Sequence, residues 1–521
     1  MAVSVPILGI EGTAWNLSAA VFGEDLIAQS SSAYMPPQGG IHPREAAQHH
    51  AAAMKEVVGK VLQETDEIGG IAFSQGPGLG PCLRTVATAS RALALALDIP
   101  LIGVNHCVAH VEIGRWATGC RDPITLYTSG ANTQVIGYLN SRYRIFGETL
   151  DIGLGNALDK FARHHGLPHP GGPIIEERAK KGKYRDFPYT VKGMDLAFSG
   201  LVSAAKDPRI PLEDACKSLQ ENAFAMCVEV TERALAHAEK EEVLLVGGVG
   251  ANKRLQEMLF LMCEDRGARF HVPPRQYLGD NGAMIAYTGR LMLESGQTLS
   301  IDESLINPVY RVDDVQVTWR SEAAATSPQK GRTEARGAEA VVSLEDEVVI
   351  KRRISKRYRQ QELDLRLIME RTRAEARLIA TARRAGVPTP IIQDITIDTI
   401  VMERIHGVLL KEELSPEHLC AAGKTVGRLH AAGIIHGDLT TSNMILRDGK
   451  CVLIDFGLAQ VSSEVETRGV DIHVLFQTLK SMTTAHESLK KAFVRGYAEQ
   501  FGPYDEVLKR EQEIERRGRY L

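Results

Sequence analysis

Ile7-Leu8-Gly9-Ile10-Glu11-Gly12-Thr13, followed closely by the apolar run Leu17–Phe22, is the stretch on which the fold turns. Ile7–Ile10 reads as a strand, Glu11-Gly12-Thr13 as a polar turn, and the run beyond it as the returning strand of a hairpin. Two further glycine loops stand at strand ends. Ile124–Tyr127 and Gln134–Tyr138 enclose Thr128-Ser129-Gly130-Ala131-Asn132-Thr133, and Val243–Val246 opens into Gly247-Gly248-Val249-Gly250-Ala251-Asn252 and then a helix. Glycine permits close backbone approach, and the exposed N–H groups of such turns can receive phosphate oxygens. One loop of this kind is an ordinary turn; three in one α/β domain point to a ligand.

Between these loops, His42–Gln63 has a helical pattern. Ile71–Ser74 is a strand ending in Gln75-Gly76-Pro77-Gly78-Leu79-Gly80-Pro81, ahead of an alanine-rich helix predicted over Arg84–Leu97. Repeated βα units with short connections imply an α/β domain. The boundary of this domain is expected in SEAAATSPQKGRTEARGAEA, residues 321–340, a connector poor in large apolar residues. That leaves a first domain over 1–320 and a second over 341–521. In the second, β-rich stretches Ala340–Lys351 and Ile391–Met402 flank a helix over Gln361–Ala385, and a helical half follows from about Lys411. The pattern is that of a small bilobal domain.

The chain has 521 residues, 44% hydrophobic and 24% charged, an ordinary globular composition that excludes fibrous and wholly disordered proteins. With 61 Lys+Arg against 65 Asp+Glu the net charge is −4, so any nucleic-acid surface must be a local patch. Eight cysteines form no C-x-x-C pair, which excludes a zinc ribbon and a dithiol redox motif and fits a reducing compartment. The start MAVSVPILGIEGT lacks a basic segment before a long apolar one, and no window is long and apolar enough to span a bilayer. A soluble, cytoplasmic protein without membrane contact is expected.

Two constellations carry chemistry. In Asn105-His106-Cys107-Val108-Ala109-His110 the imidazoles are four apart, so on a helix they share a face and can grip one metal. No glutamate stands between them where a zinc protease of the H-E-x-x-H type would keep its general base. Asp280, in Gly279-Asp280-Asn281-Gly282-Ala283, stands at the start of a small-residue helix where a carboxylate ligand could be held rigidly. The second constellation is His436-Gly437-Asp438-Leu439-Thr440-Thr441-Ser442-Asn443 with Asp455-Phe456-Gly457, the catalytic-loop and metal-loop pair of the protein-kinase fold. Asp438 would orient the nucleophile or accept its proton, and Asn443 and Asp455 would hold magnesium. Lys351, after Val348-Val349-Ile350, fits the phosphate-binding lysine, and Glu375 its helical ion-pair partner. No G-x-G-x-x-G loop precedes Lys351, Gly437 replaces the usual arginine, and no A-P-E follows the metal loop.

GIEGTAWN, GGIHPREAAQHH, SQGPGLGPCLR, NHCVAH, LYTSGANTQV, LDKFAR, HPGGP, LAFSGL, VGGVGAN and GDNGAMIA occur in order across the first 320 residues. On them this part resembles the universal threonylcarbamoyltransferase family that modifies tRNA, in its archaeal and eukaryotic branch within the KEOPS complex. The second part, with RTRAEA, HGDLT and the basic end Arg516-Arg517-Gly518-Arg519, resembles the small atypical kinase of the same complex. The resemblance implies a two-lobed actin/sugar-kinase/Hsp70-like α/β domain followed by a small protein-kinase-like α+β domain, in a natural fusion of archaeal type.

The resemblance further implies that His106, His110, Tyr127 and Asp280 hold one iron(II) or zinc ion per transferase domain. It places threonylcarbamoyl-AMP against Tyr127, Thr128, Ser129, Gly130, Ala131, Asp159, Gly172, Glu176 and Asn252. The implied reaction moves the threonylcarbamoyl group to N6 of adenosine 37 in tRNAs reading codons that begin with A. The second domain would use Mg2+-ATP as a kinase or ATPase that regulates or supports the first. Implied partners are tRNA and the other KEOPS subunits, the small dimerising one and the kinase-binding one. The competing readings are a metalloprotease fused to a signalling kinase and a non-catalytic scaffold or nucleic-acid-binding module. Ser462 and Ser463 are either solvated loop serines or self-phosphorylation targets. The run KRRISKRYR, Lys351–Arg359, is either a solvated face or a phosphate contact.

Overall fold

The computed structural model describes residues 5–36, 40–320 and 334–517. The chain divides into two compact units, 1–325 and 326–521.

The first unit is built from two sheets of the same connectivity. Strands β1 (Ile7–Glu11), β2 (Asn16–Phe22) and β3 (Leu26–Ala33) form an antiparallel meander. Helix α1 (Pro43–Leu62) leads to β4 (Gly70–Gly76), α2 (Gly80–Leu97) to β5 (Leu101–Asn105), and both strands add in parallel to give the order β3-β2-β1-β4-β5. Helix α3 (His106–Thr118) then starts the second half. There β6 (Ile124–Thr128), β7 (Thr133–Leu139) and β8 (Arg142–Glu148) repeat the meander. Helices α4 (Leu154–His164) and α5 (Gly171–Ala179), a ribbon of β9 (Val191–Lys192) and β10 (Asp195–Leu196), and helices α6 (Ser199–Ala205) and α7 (Leu212–His237) follow. Then β11 (Glu242–Val246), α8 (Lys253–Arg266), β12 (Arg269–His271) and α9 (Gly282–Glu294) complete the unit. The second sheet runs β12-β11-β6-β7-β8, the same meander with two parallel strands beside it. Strands β1, β2, β5, β6 and β11 are buried along their whole length, as expected of sheets covered on both faces. This duplication is the two-lobed α/β architecture that the family resemblance implies.

Small residues let the layers meet. A Cβ at Gly9 of β1 would lie 2.2 Å from the backbone N of Ala286 on α9, so glycine at that position sets how close α9 comes to the sheet. Helix α2 begins at Gly80, four residues earlier than predicted, with Pro81 in the first turn, where a missing N–H costs nothing.

The second unit has a five-stranded sheet of β13 (Glu334–Arg336), β14 (Ala340–Leu344), β15 (Val348–Arg353), β16 (Ile392–Ile395) and β17 (Thr399–Glu403), with α10 (Gln361–Arg384) between β15 and β16. The helical half contains β18 (Val408–Leu409), α11 (Pro416–Ala431), β19 (Ile434–Ile435), the hairpin β20 (Met444–Arg447) and β21 (Lys450–Leu453), β22 (Gln460–Val461), and helices α12 (Val465–Met482), α13 (His486–Gln500) and α14 (Tyr504–Arg517). One difference concerns the connector: Glu334–Arg336, expected within it, is a strand that pairs antiparallel with β14. Glu-Ala-Arg is too short a run to show an alternation, so backbone pairing decides it where patterning could not. Residues 321–333 of the connector, Gly39 of the GGIHPREAAQHH motif, and Gly518 and Arg519 of the basic end lie outside the described residues.

Candidate functional site

Helix α3 starts immediately after β5, and Asn105 caps it by accepting from the N–H groups of Cys107 and Val108. The cap fixes the first turn, so His106 and His110 stack along one face, their rings 4.9 Å apart. Asp280 lies in the turn before α9, whose cap Asn281 accepts from Met284 N–H. Its Oδ1 stands 3.4 Å from His106 Nε2 and 3.3 Å from His110 Nε2. One ligand atom from each of His106, His110 and Asp280 lies within 4.8 Å of the others. Tyr127, the penultimate residue of β6, sits with its ring 5.1 Å from that of His110, and its buried hydroxyl has no hydrogen-bond partner.

The residue that sequence reasoning missed is Glu11. Fully buried at the end of β1, it takes His106 Nδ1 at 3.0 Å on one oxygen and both the N–H and hydroxyl of Thr13 at 2.7 Å on the other. Its signal was in the sequence: a carboxylate closing an apolar strand is unusual and demands a partner. Burial alone would lower the basicity of His106, but the carboxylates of Glu11 and Asp280 outweigh it and hold the imidazole well above its ordinary pKa. Burial lowers His110 and raises Tyr127. Asp280 is held far below the carboxylate range against its own burial, chiefly by His106. The field at this point favours positive charge. Two imidazoles and a carboxylate converging in it, with the ring of Tyr127 beside His110, fit a nitrogen- and oxygen-binding divalent metal.

The same geometry speaks against a protease. Cys107, Val108 and Ala109 between the histidines are all buried. The glutamate of α3, Glu112, accepts from Arg115, Tyr143 and the Trp319 indole N–H instead of facing the site.

The loop after Tyr127 runs directly into the predicted nucleotide residues. Thr128 is buried, with its hydroxyl 3.4 Å from the Val246 carbonyl. Gly247, at φ 92°, passes so close that a Cβ there would lie 2.2 Å from the Thr128 carbonyl oxygen. Ser129, Gly130 and Ala131 are backed by Gly155 and Asn156, whose N–H groups donate to Ser129 and Gly130 carbonyls at 3.0 and 2.9 Å. Asn252 caps α8 through Arg254 and Leu255 N–H and donates to Gln220 at 3.1 Å. Glu176 on α5 accepts from Lys253 N–H at 2.8 Å, and Asp159 on α4 from Gly171 N–H at 2.8 Å. Gly172 is open, its nearest would-be neighbour being Leu158 at 3.9 Å. Tyr127 and Thr128–Ala131 thus follow one another from the end of β6, Asp159 reaches the start of α5 beside Gly172, and Glu176 on α5 meets the start of α8 next to Asn252.

In the second unit Lys351 lies in the middle of β15, not at its end, and its Nζ meets Glu375 of α10 and Asp455 at 2.6 Å each. Those carboxylates raise its pKa against burial, and Lys351 holds Asp455 below the usual carboxylate range. Asp455 adopts φ 60°, a left-handed backbone that a non-glycine residue keeps only where its surroundings fix it. Asn443 Nδ2 donates to the Asp438 carboxylate and carbonyl, both at 2.9 Å. Asp471 of α12 receives the N–H groups of His436 and Gly437 at 2.7 and 2.8 Å, so it holds the catalytic loop. Gly437 has φ 80°, and a Cβ there would lie 2.3 Å from the Leu458 carbonyl oxygen, which excludes the usual arginine. Ser462 and Ser463 follow β22, and Ser462 N–H donates to the Gly433 carbonyl.

The basic run 351–359 matches neither expectation as a whole. Lys351, Arg353, Lys356 and Arg359 are buried. Arg353 bridges Glu375 at 2.6 Å and Glu339 at 2.7 Å, the Lys356 backbone N–H donates to the Asp364 carboxylate at 3.1 Å and its Nζ to the Ala338 carbonyl, and Arg359 meets Asp364 at 3.1 Å. Half the run is therefore interior ion pairing, with charges compensated as burial requires.

Comparison with known proteins comes out consistently. Residues 25–287 match the family model of tRNA N6-adenosine threonylcarbamoyltransferase, and residues 343–476 that of the RIO domain. A protein of Methanoculleus marisnigri described as a probable bifunctional tRNA threonylcarbamoyladenosine biosynthesis protein is 71% identical, over 99% of this chain and 98% of its own. Proteins of the same description from Methanospirillum hungatei and Methanocorpusculum labreanum are 67% and 64% identical, over 99% of both chains in each case.

Proposed function

Because the chain belongs to the family of bifunctional tRNA threonylcarbamoyladenosine biosynthesis proteins, a transferase domain fused to a RIO-type kinase domain, we propose that the cluster His106, His110, Asp280 and Tyr127 is its acyl-transfer centre. The transferase domain is assigned to 1–320 and the kinase domain to 341–521. The observation that carries the reading is the convergence of three ligand atoms beside the unpartnered Tyr127 hydroxyl.

The substrate is threonylcarbamoyl-AMP, and the acceptor is N6 of adenosine 37 in tRNAs reading codons that begin with A. The amine attacks the carbamoyl carbon, a C–N bond forms, the C–O bond to phosphate breaks, AMP leaves with the electron pair, and the nitrogen gives up one proton to solvent. A bound iron(II) or zinc ion would supply Lewis-acid stabilisation of the oxygens of the mixed anhydride. Glu11 orients His106 through Nδ1 and leaves Nε2 for the ion. Asp159 and Glu176 accept from sugar hydroxyls, Gly172 leaves space beside the nucleoside, and the N–H groups of Gly130 and Ala131 receive the phosphate, in a loop that the Ser129 N–H closes onto the Asn132 carbonyl. Thr128, bonded to the Val246 carbonyl, and Asn252, at the cap of α8, complete the adenylate contacts.

In the kinase domain Lys351, paired with Glu375, binds the ATP phosphates, Asn443 and Asp455 hold Mg2+, and Asp438 directs the attacking group. This domain supports or regulates turnover of the first, with linkage keeping it at high effective concentration. The protein acts in the cytoplasm with the small dimerising and kinase-binding KEOPS subunits. Among the described residues no helix is long and apolar enough to cross a membrane.

The test is to supply threonylcarbamoyl-AMP, tRNA and partner subunits and analyse the digested nucleosides. Modified adenosine is expected, with no cleavage of peptide substrates. Peptide cleavage that depends on His106, without modified adenosine, contradicts the reading. Loss of multiple-turnover modification in Asp438→Ala is expected if the kinase domain supports the transferase; unchanged turnover contradicts that role.

A further inference from the structure

We propose that Trp15 is the stacking platform for the adenine base that receives the acyl group. The inference rests on the transferase reading and adds the residue that holds the acceptor. Between Ile7 and Phe22 every residue is buried except the half-buried Ala14 and Trp15, which is 39% exposed. Its neighbours tie it to the metal-ligand cluster from both sides. Thr13 Oγ1 lies 3.4 Å from His106 Nδ1, and Asn16 Nδ2 donates to the Asp280 carbonyl at 2.8 Å.

The backbone of Trp15 is itself fixed, since its carbonyl accepts from Tyr34 N–H at 2.8 Å. The other two tryptophans are engaged in packing or bonding: Trp116 packs edge-on against Phe22 at 5.0 Å, and Trp319 donates to Glu112 at 2.8 Å. A rigidly mounted, exposed indole within two residues of groups that touch His106 and Asp280 forgoes apolar burial at the place where an acceptor must enter. Chemistry on the exocyclic amine of a base requires the base out of its stack, and an aromatic face is what receives it. Within its own loop Thr13 and Asn16 are buried and Ala14 half-buried, so the indole is the one large ring that the loop exposes, the footprint of a purine.

The full-length protein, Trp15→Phe and Trp15→Ala are titrated with an anticodon stem-loop RNA carrying 2-aminopurine in place of the acceptor adenosine. The same RNA made abasic at that position, and threonylcarbamoyl-AMP, are titrated in parallel. Wild type and Trp15→Phe are expected to quench the 2-aminopurine and bind alike. Trp15→Ala is expected to lose the quench and bind roughly tenfold more weakly. All three should bind the abasic RNA equally and the adenylate equally. The proposal is overturned by wild-type quenching in Trp15→Ala, by an equal loss towards the abasic RNA, or by lost adenylate affinity, which would make the residue a support of the loop. Failure of the wild type to bind either RNA overturns this proposal together with the transferase reading, whereas RNA binding indifferent to Trp15 overturns this proposal alone.

Discussion

Glu11 Oε2 lies 3.0 Å from His106 Nδ1, and with that nitrogen engaged the imidazole turns Nε2 towards Asp280, 3.4 Å away. A strand-end carboxylate from one sheet thus sets the orientation of an imidazole, the proposed metal ligand His106, on the helix that links the two sheets. Glu11→Gln keeps the shape and removes the charge, so metal affinity is expected to fall about 10- to 100-fold while the fold persists. Metal content after dialysis, read by mass spectrometry, checks this; unchanged content would mean that Glu11 acts on stability alone.

Tyr127→Phe separates two roles cleanly. Its hydroxyl is buried without a partner, an arrangement that costs about 1–3 kcal/mol when nothing satisfies it. Removing it should leave the melting midpoint of the metal-free protein unchanged or higher, and should weaken metal binding. A lower midpoint with unchanged metal affinity would exclude the phenol as a ligand.

Arg353 bridges Glu375 and Glu339, and Glu375 in turn holds Lys351. Arg353→Met leaves Glu375 with one cation in place of two and takes one cation from Glu339, in the turn between β13 and β14, which keeps Arg371 at 3.2 Å. The expected outcome is a raised KM for ATP and a reduced ATPase kcat, with partial rescue by Arg353→Lys. Steady-state ATPase measurement on the full chain checks it; wild-type kinetics would show the bridge to be dispensable.

How far the sequence discloses this molecule depends on whether a residue's partner is local. The hairpin at Glu11–Thr13, the helical pairing of His106 with His110, and the spacing of Asp438, Asn443 and Asp455 are short-range patterns and could be read directly. Glu11 against His106 and Asp471 against the catalytic loop join residues 95 and 35 or 34 apart, which no periodicity reveals. The run 351–359 misled for the same reason: its charges are matched by Glu339, Asp364 and Glu375, which are brought close only by the fold. Glu334–Arg336 is too short and polar for any pattern to mark it as a strand.

His50 offers a pH test apart from the ligands. Fully buried beside Gly12 with Nε2 unpartnered, it has its pKa pushed down to about 4 by burial and by neighbouring His49. The folded state therefore keeps it neutral where the unfolded chain would protonate it, so stability is lost as pH falls from about 6.5 towards 4, by up to about 3 kcal/mol. The melting midpoint should drop over that window, and less so in His50→Gln. Equal pH dependence in both proteins would remove His50 as the cause.

The most direct test of the transfer centre is the yield of threonylcarbamoyl-modified adenosine per enzyme when tRNA, partner subunits and ready-made threonylcarbamoyl-AMP are supplied together. Wild type is expected to form it, and His106→Ala, His110→Ala and Asp280→Asn to lose at least ~100-fold in rate along with their bound metal. Variants that lack metal yet modify tRNA at the wild-type rate would contradict the account.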